Sequence, residues 1–280
     1  MSVPAKKRNI ALLVAVLALL AGCHRNRFVA AKFSSNDALF QASLRELQAH
    51  HWDNAVNGFQ KLTTDLPARD PLLPQAYFYL GEAHTGRREY ILAAQAYSRI
   101  PESFPEDTLA AVATFDAGMS YSRLWRKPSL DSDYGQTAIA TLQSFLAAYP
   151  DSPLREKAEK EIQKLNDWFA TKNYEAGVFY LRRDAYDSAI IYFTDVVNGF
   201  PQTEHARLAL LRLVEAYQKI GYKEELAETC ATLRQKYAGN AEARDACASV
   251  PAPAPAPARA DSTAVPAAPI APPVAPAPRR

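Results

Sequence analysis

The sequence predicts an all-α chain, a right-handed α-solenoid of about five helix pairs. Three observations predict it. An apolar or aromatic residue followed by Pro recurs at Leu66-Pro67, Phe104-Pro105, Tyr149-Pro150 and Phe200-Pro201. Twelve residues before each Pro stands an Ala: Ala55, Ala93, Ala138 and Ala189. Eight before it stands a bulky side chain: Phe59, Tyr97, Leu142 or Phe193. Chance does not align these three features four times, and self-similarity of this kind marks a repeat array.

Each feature has a mechanical reason. Pro ends a helix because it lacks an N–H and clashes with the preceding turn. Leu62, Ile100, Phe145 and Val196, five residues before each Pro, extend the apolar stripe of the second helix. Trp52, Tyr90 and Tyr186 stand fifteen before, and Gly135 interrupts the series in the third unit. Gly81 and Gly177 stand twenty-four before, with Ser43 in the first unit, where small side chains let two helices cross closely. The pattern is that of a tetratricopeptide-like two-helix unit. The Pro spacings of 38, 45 and 51 exceed the standard of about 34, so insertions or longer helices must absorb the surplus.

The surplus is placed as follows. Arg126 to Gln136 reads as a loop holding Pro128, Asp131, Asp133 and Gly135. Asp131 and Asp133 lack the closing acidic residue of an EF-type calcium loop and read as a solvated turn. An extra helix is expected between Ser152 and Thr171, with Ser152 as N-cap and Pro153 at the first helical position. Leu154, Ala158, Ile162, Leu165 and Phe169 form its apolar stripe. A fifth unit starts at Thr203, with Leu208, Leu211, Val214 and Tyr217 on its first helix. Its second helix runs from Glu224 to Tyr237, and Gly239 replaces Pro as the stop.

The two ends are different polymers. Lys6, Lys7 and Arg8 precede an apolar run from Ile10 to Ala21, too short for a bilayer core that needs ~20 residues but right for a secretory signal. Leu20-Ala21-Gly22-Cys23 fits a lipobox, so residues 1–22 are expected to be removed and Cys23 acylated, anchoring the chain to a membrane. His24 follows in place of the Asp that marks inner-membrane retention, which favours the outer membrane. Residues 23–35 then form a lipidated linker, 36–249 the repeat domain and 250–280 a tail. Ten of the twenty prolines lie between Pro251 and Pro278. Such a Pro/Ala tail favours extended polyproline II and no packed core. It reads as a stalk towards the cell wall or as a dispensable end.

Charge follows the same division. The whole chain carries +2, which excludes a polybasic nucleic-acid binder. Without residues 1–22 the balance is −1, and the segment between signal and tail stands at −3. Two thiols besides Cys23 remain, in an oxidising compartment. Cys230 and Cys247 are a candidate disulfide, or two unpaired thiols with Cys230 in a helix core; spacing leaves both open.

The first helices of such units line a groove. The candidates for a peptide-binding groove are Phe40, Leu44 and Leu47 in the first unit and Phe78, Glu82 and Thr85 in the second. An aromatic, apolar lining suits an extended aromatic-rich peptide. Arg87 and Arg88 near its end offer partners for a carboxylate. The competing reading makes Phe40, Leu44 and Leu47 core and the two Arg a solvated turn. Catalysis has no candidate constellation. The five His lie at 24, 50, 51, 84 and 205, with no His-Glu-x-x-His, Cys-x-x-Cys or phosphate loop. His50 and His51 beside Trp52 lack the Cys or carboxylate that would complete a metal site. No cofactor or metal is expected.

The segment from Glu175 through Phe179, Tyr180, Arg183 and Tyr186 to Ala189, Phe193, Pro201 and Thr203 resembles the fourth repeat of the BamD/ComL family. Asp131-x-Asp133, Gln136-Thr137 and Tyr149-Pro150-x-Ser152 are similar to it as well. The resemblance covers about residues 36–238 and the lipobox. It implies a non-catalytic outer-membrane lipoprotein of the β-barrel assembly machinery, on the periplasmic face of a Gram-negative bacterium. Its N-terminal repeats would receive unfolded outer-membrane proteins. Its C-terminal repeats would dock on the periplasmic domains of a BamA-like barrel, alongside other lipoproteins of the machinery. Tyr180, Arg183, Tyr186 and Tyr192 are the docking candidates, Tyr192 standing where the family often has a basic residue. The alternative is a cell-envelope adaptor that binds peptidoglycan or a Tol-type partner.

Overall fold

A tandem of short helices is what the repeat dictates, and the computed structural model of the protein describes it over residues 28–251. The signal segment, Cys23 and most of the Pro/Ala tail lie outside the described residues. Within them every regular element is helical. The chain divides into two compact units, the boundary falling between Lys172 and Asn173. The first holds α1 (Asn36–Gln48), α2 (Trp52–Asp65), α3 (Leu73–Gly86), α4 (Tyr90–Ser103), α5 (Ala110–Leu124) and α6 (Asp133–Ala148). The long helix α7 (Arg155–Leu181) runs through the boundary. The second unit continues with α8 (Tyr186–Gly199), α9 (Glu204–Ile220), α10 (Lys223–Lys236) and α11 (Ala241–Ala246).

The same turn closes four of the pairs. His50, Arg88, Asp184 and Gly221 adopt positive φ of 58°, 62°, 56° and 78°. That conformation lets the next N–H, of His51, Glu89, Ala185 or Tyr222, donate to the carbonyl of Glu46, His84, Tyr180 or Tyr217 at 2.8–3.1 Å. Only Gly221 adopts it freely; a side chain there costs about 1 kcal/mol. Between pairs a second device recurs. Asp70 and Asp107 accept the N–H of Leu72 and Leu109 at 2.9 and 2.8 Å. Ser152 accepts from Leu154 at 3.3 Å and Thr203 from Ala206 at 3.3 Å. A short polar side chain after each Pro thus starts the next helix.

Inside the pairs, the Ala of the sequence pattern mark the close crossings: Ala55, Ala93, Ala138 and Ala189 are fully buried. The bulky residue lies over the small residue of its own pair. A Cβ on Gly81 would stand 2.6 Å from the Tyr97 ring, one on Gly177 2.6 Å from Phe193, and one on Gly118 2.8 Å from Leu142. In the first pair Ser43 meets Gly58 instead. Tyr97 shares one buried cluster with Ala113 and Ala117 of α5, so one side chain serves its own pair and the next.

Three expectations about boundaries change. The extra helix and the first helix of the fourth unit are one continuous helix, α7, starting at Arg155 and not at Pro153. No Gly or Pro interrupts the sequence between Arg155 and Gly177, so nothing breaks the hydrogen-bond ladder there. The predicted loop ends at Ser132, because Asp133 already opens α6 and Gly135 is helical. Gly135 breaks the aromatic series for a reason: Trp125 fills that place from the loop, 2.2 Å from where a Cβ would stand. Trp125 is 1% exposed and packs on Trp168 and Phe169, with ring centroids 5.4 and 4.4 Å away.

At the end of the second unit, α11 is an addition the repeat pattern does not contain. Asn240 caps it, accepting from Ala243 N–H at 2.9 Å. Cys230 of α10 is disulfide-bonded to Cys247, with Cα atoms 5.6 Å apart and both residues fully buried. Closing a loop of this length contributes roughly 3 kcal/mol in the chain-entropy account. Arg234 donates to the carbonyls of Cys247 and Val250 at 2.8 and 2.5 Å. Val250, assigned above to the tail, is buried, so packed structure reaches it.

Candidate functional site

Two surfaces gather the candidate residues, one in each unit. In the first unit a cleft of about 490 Å³ opens between the first helices of three successive pairs. Its walls are Leu47 and Gln48 of α1, His50 and Trp52 after it, Glu82, Thr85 and Gly86 of α3, Tyr97 of α4, and Asp116, Ser120 and Arg123 of α5. Helical spacing explains the set: residues three, four and seven apart share a face. Trp52 reaches in because Gly86 leaves room; a Cβ there would lie 2.5 Å from the indole.

Of the groove residues expected from sequence, Leu47, Glu82 and Thr85 line this cleft. Phe40 does not. It is a core side chain, 4% exposed, edge-on to Phe59 and Tyr79 at 5.7 and 5.9 Å. Leu44 packs against the same core, and Phe78 lies against Tyr79 and Tyr97. Arg88 is the positive-φ residue of the α3–α4 turn and exposed. Arg87 pairs with Asp53 at 3.2 Å and Glu89 at 2.9 Å. Asp116, Ser120 and Arg123 escaped the sequence reading. The signal was there: Asp116 stands two residues before the small Gly118, on a helix whose Ala113 and Ala117 are core.

The lining adds charge to the apolar and aromatic residues expected, with Asp116 and Arg123 joining Glu82 beside Leu47, Trp52 and Tyr97. Burial raises the Asp116 carboxyl to about 6, against the pull of Arg123 and Lys157. Glu82 is raised by burial first and by Asp116 second. Burial also pushes the Tyr97 phenol above its ordinary range. Neither carboxylate makes a salt bridge or side-chain hydrogen bond among the described residues.

The docking candidates lie in the second unit at the α7–α8 turn. The rings of Tyr180 and Tyr192 stack with centroids 5.4 Å apart and planes 9° from parallel. Phe179 stands edge-on to Tyr180 at 5.3 Å and is 49% exposed. The Arg183 guanidinium lies 3.5 Å over the Phe179 ring and donates to the Phe179 carbonyl at 3.0 Å. The Tyr186 hydroxyl donates to Asp184 at 2.7 Å, which raises its pKa. Ile191 stands 61% exposed on α8. Phe179, Arg183, Arg182, Tyr174, Glu175 and Val178 surround a hollow of about 290 Å³. Tyr180, Arg183, Tyr186 and Tyr192 thus fall at one turn; Phe179 and Ile191 are the neighbours that sequence reading passed over.

The histidines beside Trp52 serve the turn. His51 pairs with Glu46 at 2.9 Å and the His50 ring lies 4.8 Å from Trp52. Among the described residues no group of three or more His, Cys, Asp or Glu is placed to hold a metal. No helix among them is long and apolar enough to cross a membrane.

The helix pairs, their Ala crossings and their Pro stops define a helical-repeat protein of the tetratricopeptide type. Residues 33–233 match the YfiO family model, described as an outer membrane lipoprotein, and the chain belongs to that family. It is 26% identical over 204 residues to the outer membrane protein assembly factor BamD of Caulobacter vibrioides, covering 73% of this chain and 67% of that protein. It is 23% identical over 225 residues to the BamD of Rickettsia prowazekii, covering 78% and 87%. With the Vibrio cholerae BamD it shares 32% identity over 99 residues, 35% of this chain and 41% of that one. A tetratricopeptide-repeat protein of Thermus thermophilus superposes with a TM-score of 0.34 at 14% identity, over 77% of this chain and 98% of that one.

Proposed function

We propose that this protein is an outer-membrane lipoprotein of the β-barrel assembly machinery and acts there as a non-catalytic scaffold. One observation carries the reading: the family match runs over residues 33–233, all five helix pairs but the end of the last. Relatives matched over most of this chain are named outer membrane protein assembly factors. Acylated Cys23 holds the chain to the periplasmic face of the outer membrane. The first unit receives segments of unfolded outer-membrane proteins in its cleft. The second docks a BamA-like barrel through the aromatic and cationic turn around Tyr180, Arg183, Tyr186 and Tyr192, with other lipoproteins of the machinery bound alongside. Exposed aromatic rings beside Arg are the usual anchors of protein interfaces, which supports that assignment.

The test is a pulldown of the lipidated protein from envelopes in mild detergent. A BamA-like barrel is expected with it. Recovery of peptidoglycan or a Tol-type partner without a barrel would replace the assembly reading by the adaptor one. Cys23→Ala is expected to move the protein to the soluble periplasmic fraction; unchanged membrane fractionation would refute the anchor.

A further inference from the structure

The first-unit cleft carries a charge imbalance that the described residues leave unresolved. Glu82 and Asp116 line it half-buried, and neither carboxylate has an ion-pair or hydrogen-bond partner among them. Arg123 at the same cleft lies 5.6 Å over the Tyr90 ring and makes no salt bridge to either acid. Thr85 Oγ1 is buried beside Tyr97 without a well-formed hydrogen bond. Trp52 and Leu47 supply an apolar wall. Partly buried carboxylates without partners are unfavourable, and a cation placed between them removes that penalty through charge-assisted hydrogen bonds. A carboxylate ligand would be repelled. An apolar ligand would desolvate both acids further.

We propose that the cleft is a subsite for one basic side chain, Arg or Lys, carried by an extended polypeptide segment. The head group sits between Glu82 and Asp116, and the aliphatic stem lies along Trp52 and Leu47. A volume of about 490 Å³ holds such a side chain with room for its backbone. The proposal rests on the reading of the first unit as the receiver of unfolded segments, and names the feature it selects. Binding weakens as pH falls through about 6, where Asp116 takes up a proton. The groups facing Asp116 are Glu82 of α3, Tyr97 of α4, Arg123 of α5 and Lys157 of α7, with His50 at the rim.

Calorimetry with the full chain in mild detergent tests this. The probes are two short blocked peptides of alternating Thr, Tyr and Val, one with a central Arg and one with citrulline there. The Arg peptide is expected to bind ~10-fold or more tightly. Glu82→Gln and Asp116→Asn are near-isosteric, and each should cut that preference, with the helical circular dichroism unchanged. Equal binding of the two peptides, or full preference in the doubly substituted chain, overturns the proposal. A large gain in affinity on removing residues 252–280 also overturns it, by making the chain's own basic tip the occupant. The assembly reading fails separately. Barrel capture without Arg discrimination removes only the cleft proposal, and discrimination without barrel capture removes only the assembly reading.

Discussion

The cleft of the first unit and the turn of the second use charge in opposite ways. At the α7–α8 turn Arg183 is engaged on the Phe179 ring and carbonyl, and Tyr186 on Asp184. In the cleft Glu82 and Asp116 make no ion pair or side-chain hydrogen bond among the described residues, and Arg123 and Lys157 act on Asp116 only at longer range. Those contacts at the turn hold Arg183 and Tyr186 in place before anything arrives, which lowers the ordering needed on binding. The cleft stores an unfavourable desolvation that a ligand can relieve. The repeat is the same in both; what differs is whether its polar residues are satisfied within the chain.

That contrast can be broken in order of effect. Trp125→Ala should destabilise the first unit most, by about 3–5 kcal/mol, because it empties the space over Gly135 and beside Phe169. Denaturant unfolding followed by the fluorescence of the remaining Trp52 and Trp168 reads it. A loss under about 1 kcal/mol would mean that the loop packs without it. Next comes the disulfide. Cys230→Ser with Cys247→Ser should lower the stability of the second unit by roughly 2–4 kcal/mol. Hydrogen exchange should report the loss in α10 and α11 while α1 to α4 stay protected.

The third effect has the opposite sign. The folded-state pKa of Asp116 is raised, so its folded form favours the proton. The group stabilises the fold only while protonated, below the ordinary carboxylate range near 4. That contribution is lost as pH rises through about 6. Asp116→Asn should therefore stabilise the protein at pH 7.5 by ~1–2 kcal/mol, allowing for solvent screening of a partly exposed group. The gain should vanish near pH 4. A destabilised Asn variant at pH 7.5 would show that the carboxylate has a partner after all. The smallest change in stability, within about 0.5 kcal/mol, is expected for Phe179→Ser and Ile191→Ser. Both are exposed. The measurement that matters there is barrel capture, which each should weaken while leaving peptide binding at the cleft intact.

Legibility in the sequence followed the repeat closely. Ala55, Ala93, Ala138 and Ala189 were readable as crossings because a close approach tolerates only a small side chain. Tyr180, Arg183, Tyr186 and Tyr192 are candidates through the family resemblance alone, and they come together because they flank one turn. Asp116 and Arg123 were harder to see. Their role depends on α3, α4 and α5 presenting side chains to one space, a matter of neighbours far apart in the chain. Phe40 misled for the same reason. Its position on α1 is right for a groove, but Phe59 and Tyr79 close over it.

The sequence by itself determined the helix pairs, their stops and their number, because Pro, Gly and Ala act through local backbone sterics that a chain carries wherever it goes. Tertiary structure alone decided three things. Trp125 replaces the missing aromatic at Gly135, the two Cys come within 5.6 Å between Cα atoms, and two acids are left unpaired in a cleft. Each depends on distance between side chains remote in sequence, and a linear pattern holds no measure of that distance.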